Sequence, residues 1–379
     1  MRSSRPLPTG AGGLDLVAAS IDVIEASQAP SGAFLASPSF SQYGYSWFRD
    51  GSFIAEALDL CGRMERAAGF HGWVATIVEA SADGLLRAMT AASQGDPLSA
   101  ADYLHCRYSV DGLISEVDWP TFQLDGPGIW LWSLLHHRRH GGEPTPAMIE
   151  AAGLVARYLA ELWDTPCADA WEEHHDRVHT STLAAIAAGL AAAVELEPGL
   201  ADAASIVRAR AAIRARLAEG EGAWTKWPGN PEVDASLLWM CVPYGLVAPT
   251  EPRFAATLRR IETELVSDGS GVHRYASDTF YGGGAWPVLS AARARVLLRR
   301  DAPGDVERAW QALRWIEAQS DDRGWLPEQV PGHALAPARI EEWRLLWGES
   351  ARPLLWSHAA YLSLQADLEA RAAAPTALA

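Results

Sequence analysis

The chain has 379 residues, 49% of them apolar and 21% charged, a mixture that builds a globular core and excludes disorder as the dominant state. Its formal net charge of -16 comes with no run of five like charges and no basic stripe, so neither a nucleic acid nor an anionic membrane is an expected partner. Length alone leaves open one long regular domain or two average ones.

The opening "MRSSRPLPTGAGG" is basic and turn-rich and lacks the apolar stretch of a secretory signal, and no later segment approaches the length of a membrane span. A cytoplasmic location is therefore expected. Four cysteines, Cys61, Cys106, Cys167 and Cys241, form no CxxC pair and read as reduced core thiols rather than a disulfide framework or zinc site.

Helical periodicity dominates the rest of the chain. It predicts helices over 14–27, 52–65, 70–93, 126–140, 145–164 and 180–195, then over 199–219, 234–244, 253–266, 285–300, 304–318 and 353–370. Stretches such as "TLAAIAAGLAAAV" are apolar nearly all round, which requires neighbours on several sides and marks inner helices. Paired as successive antiparallel hairpins, the predicted helices make six repeats that can close as a ring, with one helix of each pair inside and one outside. No Gly/Ser linker or composition shift divides the chain, so a single domain over 1–379 is expected. Strand signals are sparse, and "HCRYSV" and "GVHRYA" predict short hairpins in loops.

The loops hold the tryptophans. Of seventeen, Trp47, Trp119, Trp171, Trp224, Trp227, Trp325, Trp343 and Trp347 fall in predicted loops or at helix starts. Core packing competes as an explanation for each. An indole on a cleft wall, however, offers a flat apolar face and one donor, which suits a sugar ring with its C–H faces and hydroxyl rim. Trp47, Trp119, Trp171 and Trp325 also lie within a few residues of Asp or Glu, which points to a binding cleft.

Polar groups concentrate in a few stretches. "YGYSWFRDGSF" places Arg49 and Asp50 before a predicted helix, as a cap or as matched donor and acceptor for vicinal hydroxyls. "SEVDWPTFQLDGPGIW" reads as a loop feeding a buried helix with Asp125 as its cap. "DAWEEHHDRVHT" crowds two carboxylates, three histidines and a tryptophan together. Three readings stay open for it: a solvated helix start, a metal site in which His175 and His179 share a helical face, or the acid of a hydrolase beside a substrate-gripping residue. HExxH spacing is absent. Adjacency of Glu172 and Glu173, with partial burial, favours a proton held on one carboxyl, the state a general acid needs. "GVHRYASDTFYGGGAWP" interleaves Arg274, Tyr275, Asp278, Tyr281 and Trp286 with glycines that read as a flexible turn, and no phosphate-binding motif surrounds them. "RGWLPEQVPG" sets Glu328 in a short loop near Trp325.

Taken in order, "YGYSWFRDG", "DGPGIWLW", "DAWEE" followed by "HTST", "RYASDTFYGGGAW", and "LPEQV" with the later "PLLWSHAAYL" resemble the glucoamylase-like glycoside hydrolases of family 15. That resemblance implies an all-α (α/α)6 barrel, a toroid of six helical hairpins with short β-hairpins in its loops. It implies Glu172 as general acid and Glu328 as general base, with Glu173 holding hydroxyls of the leaving sugar. It further implies a substrate site of Tyr43, Trp47, Arg49 and Asp50, completed by Trp119, Trp171, Arg274, Tyr275, Asp278 and Trp286. The family inverts configuration, which sets its two carboxyls roughly 6.5 to 9.5 Å apart. No metal or other cofactor is implied.

Some features depart from the family pattern. No room is expected for an N-terminal β-sandwich or a starch-binding module. Phe280 stands where a hydroxylated aromatic is familiar, and the stretch after "LPEQV" is long enough to offer Glu349 as a second candidate base. The expected substrate is a small oligosaccharide, isomaltose-type α-1,6 glucosides first, with glucose as product. Maltooligosaccharides and trehalose are the alternatives within the class. A sugar-binding regulatory protein without hydrolysis and a metal-dependent hydrolase are the alternatives outside it.

Overall fold

The computed structural model describes residues 15–115 and 118–373. Leu14, the expected first helical residue, lies outside them with the rest of the N-terminal segment, as do Glu116 and Val117 of the "SEVDWP" loop.

Helix starts follow local chemistry. In α1 (Leu16–Ala26) the Asp15 side chain accepts the Ala18 N–H at 3.1 Å. α2 (Phe48–Leu60), α3 (Met64–Ala80), α4 (Ala82–Gln94) and α5 (Asp125–Arg139) come next. α6 (Pro146–Leu162) has Thr145 as cap and proline in its first turn, where a missing N–H costs nothing. After it stand α7 (Thr180–Leu196), α8 (Ala204–Ala218) and α9 (Pro252–Glu264), the last capped by Glu251 on the Phe254 N–H at 2.7 Å. α10 (Pro287–Arg300), α11 (Asp305–Glu317), α12 (Ile340–Trp347) and α13 (Leu355–Ala373) complete the order.

The expected toroid is present. An inner ring runs α2, α5, α7, the short segment Ala235–Met240, α10 and α13, and closes from α13 back onto α2. α1, α3, α6, α8, α9 and α11 alternate with these along the chain and pack outside them. The alanine-rich inner helices approach closely: a Cβ added at Gly128 of α5 would lie 2.7 Å from the Ala185 carbonyl of α7, and one at Gly189 would lie 2.5 Å from the Gly128 carbonyl. No larger residue fits either position without moving a helix.

The structure corrects several expected elements. The stretch predicted as one helix over 70–93 is two, broken at Ser81, so that α3 packs on α2 while α4 turns onto α6. The predicted inner helix over 234–244 is a 3-10 turn over Ala235–Met240, started by Asp234 accepting the Ser236 N–H at 2.8 Å. It cannot lengthen, because Pro243 has no N–H and disfavours helical geometry in the residue before it. α12 has no counterpart among the expected helices. Of the two expected hairpins, β3 (Val266–Ser267) and β4 (Gly271–Val272) form one. "HCRYSV" supplies β2 (Arg107–Tyr108), which pairs with the distant β1 (Ser46–Trp47) and, on its other side, keeps only a single local antiparallel bridge, Tyr108 to Ile114.

Aromatic side chains plug the bore. Phe53 stacks on Trp356 at 5.4 Å, Trp239 lies 5.4 Å from Trp356, and Trp171 lies 5.9 Å from Trp239 and 5.5 Å from Trp286. Burying each ring contributes on the order of 3 kcal/mol before entropy, and together they fill the space between the inner helices behind the cleft. All four cysteines are free; Cys61 is half-buried and the others buried. Among the described residues no helix is long and apolar enough to cross a membrane.

Candidate active site

Because outer and inner helices alternate, the inner helices all begin at the same end, and the segments preceding α2, α5, α7, α10 and α13 converge there. They enclose a cleft of about 340 Å³. Tyr43, Trp47, Arg49, Asp50, Trp119, Trp171, Glu172, Glu173, Arg274, Trp286 and Glu328 all line it. These include both carboxylates expected to act on the glycosidic bond, brought together from the loop before α7 and the loop between α11 and α12.

Glu172 sits in a tight turn, not at a helix start. Asp169 organises that turn: its carboxylate accepts the N–H groups of Trp171 at 2.9 Å and Glu173 at 3.0 Å. Glu172 itself takes a φ of 67°, a left-handed conformation that costs a residue with a side chain of order 1 kcal/mol or more. The turn gives the adjacent carboxylates separate partners. Trp47 donates its indole N–H to Glu172 Oε1 at 2.5 Å, Trp119 donates to Oε2, and Arg49 reaches Oε1 at 3.4 Å. Glu173 instead accepts from Arg274 at 3.2 Å and from the Tyr275 hydroxyl.

Arg49 and Asp50 lie inside the first turn of α2, behind Trp47, rather than ahead of the helix. Arg49 is buried and donates to Gln123 at 2.9 Å and Asp125 at 3.2 Å, with its Nε 3.5 Å from Asp50. Asp125 is therefore Arg49's counter-ion and not a helix cap. Burial pushes the Asp50 carboxyl up to about 6 against the pull of Arg49.

Glu328 faces the cleft from the loop between α11 and α12. Tyr43 donates to its Oε1 at 2.7 Å and Ser350 to its Oε2 at 3.0 Å. Burial pushes its carboxyl up to about 7, although both hydrogen bonds favour the ionised form. The glycine run predicted as flexible holds this loop in place. Gly284 donates to the Gln329 side chain at 2.9 Å, Ala285 and Val330 exchange backbone hydrogen bonds, and a Cβ at Gly284 would lie 2.5 Å from the Val330 carbonyl. Glu349, the other candidate base, is exposed and paired with Arg344 at 2.9 Å, away from the cleft lining.

Tyr275 and Asp278, expected at the substrate, stand one layer behind it. Tyr275 fixes Glu173, and Asp278 grips Arg274 through two hydrogen bonds of 2.8 and 2.5 Å with no exposure of its own side chain. His175 and His179 do not share a helical face. The segment is a loop, His175 is exposed, and His179 is buried with its Nε2 3.0 Å from the His174 carbonyl. Trp224, Trp227 and Trp325 pack elsewhere: Trp224 donates to the Leu217 carbonyl at 2.8 Å, Trp227 lies against His174, and Arg323 covers Trp325.

Residues that sequence reasoning passed over form the support. Lys226 is buried with its Nζ 3.5 Å from Asp234 and 3.9 Å from Asp169. Asp234 in turn accepts the Trp171 indole at 3.0 Å. Burial pushes Asp169 up to about 7, opposed by Lys226. Trp356 lines the cleft floor, whereas Trp343 and Trp347, both expected among the loop tryptophans, line the cleft from α12 and not from a loop. Trp343 lies over Tyr281 at 5.8 Å and donates to the Thr279 carbonyl at 3.1 Å. The aromatic content of "EEWRLLW" is the available signal for this wall.

Known proteins resemble the chain over most of its length. The model of glycosyl hydrolases family 15 matches residues 13–317. The isomaltose glucohydrolase of Kribbella flavida is 41% identical over 355 residues, 91% of this chain and 90% of that protein. A solved glycosidase in complex with glucose superposes with a TM-score of 0.87 at 39% identity, covering 93% of this chain and 96% of its own. A bacterial glucoamylase complexed with acarbose shares the fold at a TM-score of 0.67 and 18% identity, covering 94% of this chain and 56% of its own.

Proposed function

The chain belongs to the family 15 glycosyl hydrolases, and from that premise we propose that it is an exo-acting, inverting α-glucosidase releasing β-glucose from the non-reducing end of isomaltose and other short α-glucosides. The observation that carries this reading is a blind cleft holding Glu172 and Glu328, each gripped by its own set of donors. A bore filled by Trp171, Trp239, Trp286 and Trp356 admits a sugar chain only by its end, which supports exo action.

In the proposed reaction Arg49 and Asp50 anchor the terminal glucose on the Trp356 floor. Glu172 gives its proton to the glycosidic oxygen as the C1–O bond breaks. Glu328 takes a proton from a water whose oxygen bonds to C1 from the opposite face. Attack from that face inverts an α-glucoside to β-glucose. The step leaves Glu172 ionised and Glu328 protonated, and exchange with solvent restores both. Glu173, held by Arg274 and Tyr275, is placed for hydroxyls of the leaving sugar. Trp343 and Trp347 narrow the mouth, which suits short substrates, and the isomaltose glucohydrolase relative supports the α-1,6 linkage as the preferred one.

Glucose release from isomaltose, maltose, maltooligosaccharides, trehalose and starch tests the substrate. The highest kcat/KM is expected for isomaltose; a preference for long starch would overturn the assignment.

A further inference from the structure

Far from the cleft, at the last turns of α2 and α5, a cluster of buried groups has no role in the proposed hydrolysis. Asp59 of α2, His71 of α3 and His137 of α5 offer one ligand atom each, and these atoms lie within 4.8 Å of one another. His137 Nδ1 is 2.7 Å from Asp59 Oδ1, and His136 Nδ1 is 3.6 Å from Asp59 Oδ2. Gly142 lies flush against the other edge of the His137 ring, where a Cβ would sit 2.2 Å from Nε2, so Nδ1 is the nitrogen left to face the cluster.

The hydrogen bonding here is incomplete. Among the described residues Asp59 Oδ2, His136 Nδ1 and both ring nitrogens of His71 are buried without a hydrogen-bond partner, and His71 has no exposure at all. Each such orphan loses its hydrogen bonds to water without replacement, and several together in one place require an explanation. Contact with bulk solvent does not supply one, because Phe70 packs 5.8 Å from the His71 ring and His137 lies 5.2 Å from it.

We propose that Asp59, His71, His136 and His137 bind one divalent transition-metal ion, zinc in the first instance, which ties α2, α3 and α5 together at the end of the barrel away from the cleft. Three imidazoles and one carboxylate are a donor set for zinc and not for magnesium or calcium, which take oxygen ligands. Bonds of about 2.0 to 2.1 Å in a tetrahedral site place ligand atoms roughly 3.3 Å apart; the atoms of Asp59, His71 and His137 already lie within 4.8 Å of one another, and His136, outside that trio but 3.6 Å from Asp59 Oδ2, completes the site by turning its ring. Asp59 lies nine positions after Asp50 along α2, which is roughly 14 Å of helix. The ion is structural and takes no part in the reaction.

The test uses the full chain, stripped with EDTA and titrated with zinc chloride by calorimetry, with thermal unfolding followed in parallel and magnesium chloride as control. One equivalent of zinc is expected to bind and to raise Tm, and magnesium to do neither. His71→Gln and His136→Ala, each checked for folding by circular dichroism, are expected to weaken zinc binding at least tenfold. Cobalt(II) gives a readout independent of any variant, since a four-coordinate site produces strong visible d–d bands. A wild-type protein that takes up no zinc, or that holds it as tightly in both variants, would overturn the proposal, as would a six-coordinate cobalt spectrum.

Discussion

Tyr43 and Glu328 stand 285 residues apart in sequence and share an O–H···O hydrogen bond of 2.7 Å. The phenol, itself held protonated by burial, donates to the carboxylate, so it stabilises the ionised form of the proposed base. A base works when ionised, and burial lifts Glu328 to about 7, so kcat/KM is expected to fall as pH drops below about 7. Tyr43→Phe removes one donor to the carboxylate. The acid limb should then move to higher pH by about half to one unit, the equivalent of a hydrogen bond worth about 1 kcal/mol. A pH profile that stays put, or moves down, contradicts the role given to Tyr43.

The two carboxylates should respond differently to the leaving group. Glu172→Gln is expected to lower kcat on isomaltose by about 10² to 10⁴. With α-glucosyl fluoride, whose departing ion needs no proton, most of the activity should survive. Glu328→Gln should lose activity on both, because water still needs a base. Equal losses of Glu172→Gln on the two substrates would remove its assignment as the acid.

Trp343 lines the cleft from α12, packed on Phe280 and Tyr281, on the side proposed for the leaving sugar. Trp343→Ala should raise KM for isomaltose roughly tenfold, about 1.4 kcal/mol of lost stacking. KM for α-glucosyl fluoride, which carries no second sugar, should stay unchanged. A rise for both would place this ring nearer the terminal glucose.

Asp278 exemplifies support from behind. It is buried beside a buried Arg274, and its removal strands a charge. Asp278→Asn should cost about 3 kcal/mol of stability in urea unfolding, since Glu173 compensates Arg274 only in part. An unchanged midpoint would show that Arg274 is adequately paired without it.

Much of this architecture is legible from residue order. Alanine-rich stretches announce inner helices because a helix apolar on all sides must be enclosed, and α7 is enclosed by α5, α6 and α8. Loop tryptophans beside acids announce the cleft, and Trp47 and Trp119 indeed hold Glu172. What stays hidden depends on distant partners. Arg49 reads locally as a helix-start residue, and only the fold reveals Gln123 and Asp125 around it. Asp169, Lys226 and Asp234 are ordinary residues in sequence whose meaning comes from burial together. β1 pairs with β2 across about sixty residues, which no local turn signal encodes. The 3-10 turn over Ala235–Met240 fills the slot of an inner helix, and its apolar pattern gives no hint of the tighter winding.

The central claim is that Glu172 and Glu328 act from opposite faces of one glucose. The most direct measurement is the proton NMR spectrum of wild-type enzyme with isomaltose, recorded before mutarotation equilibrates the product. The anomeric signal of β-glucose should appear first, with the α signal growing in later. Initial release of α-glucose would contradict single-step attack by water and the roles assigned to both carboxylates.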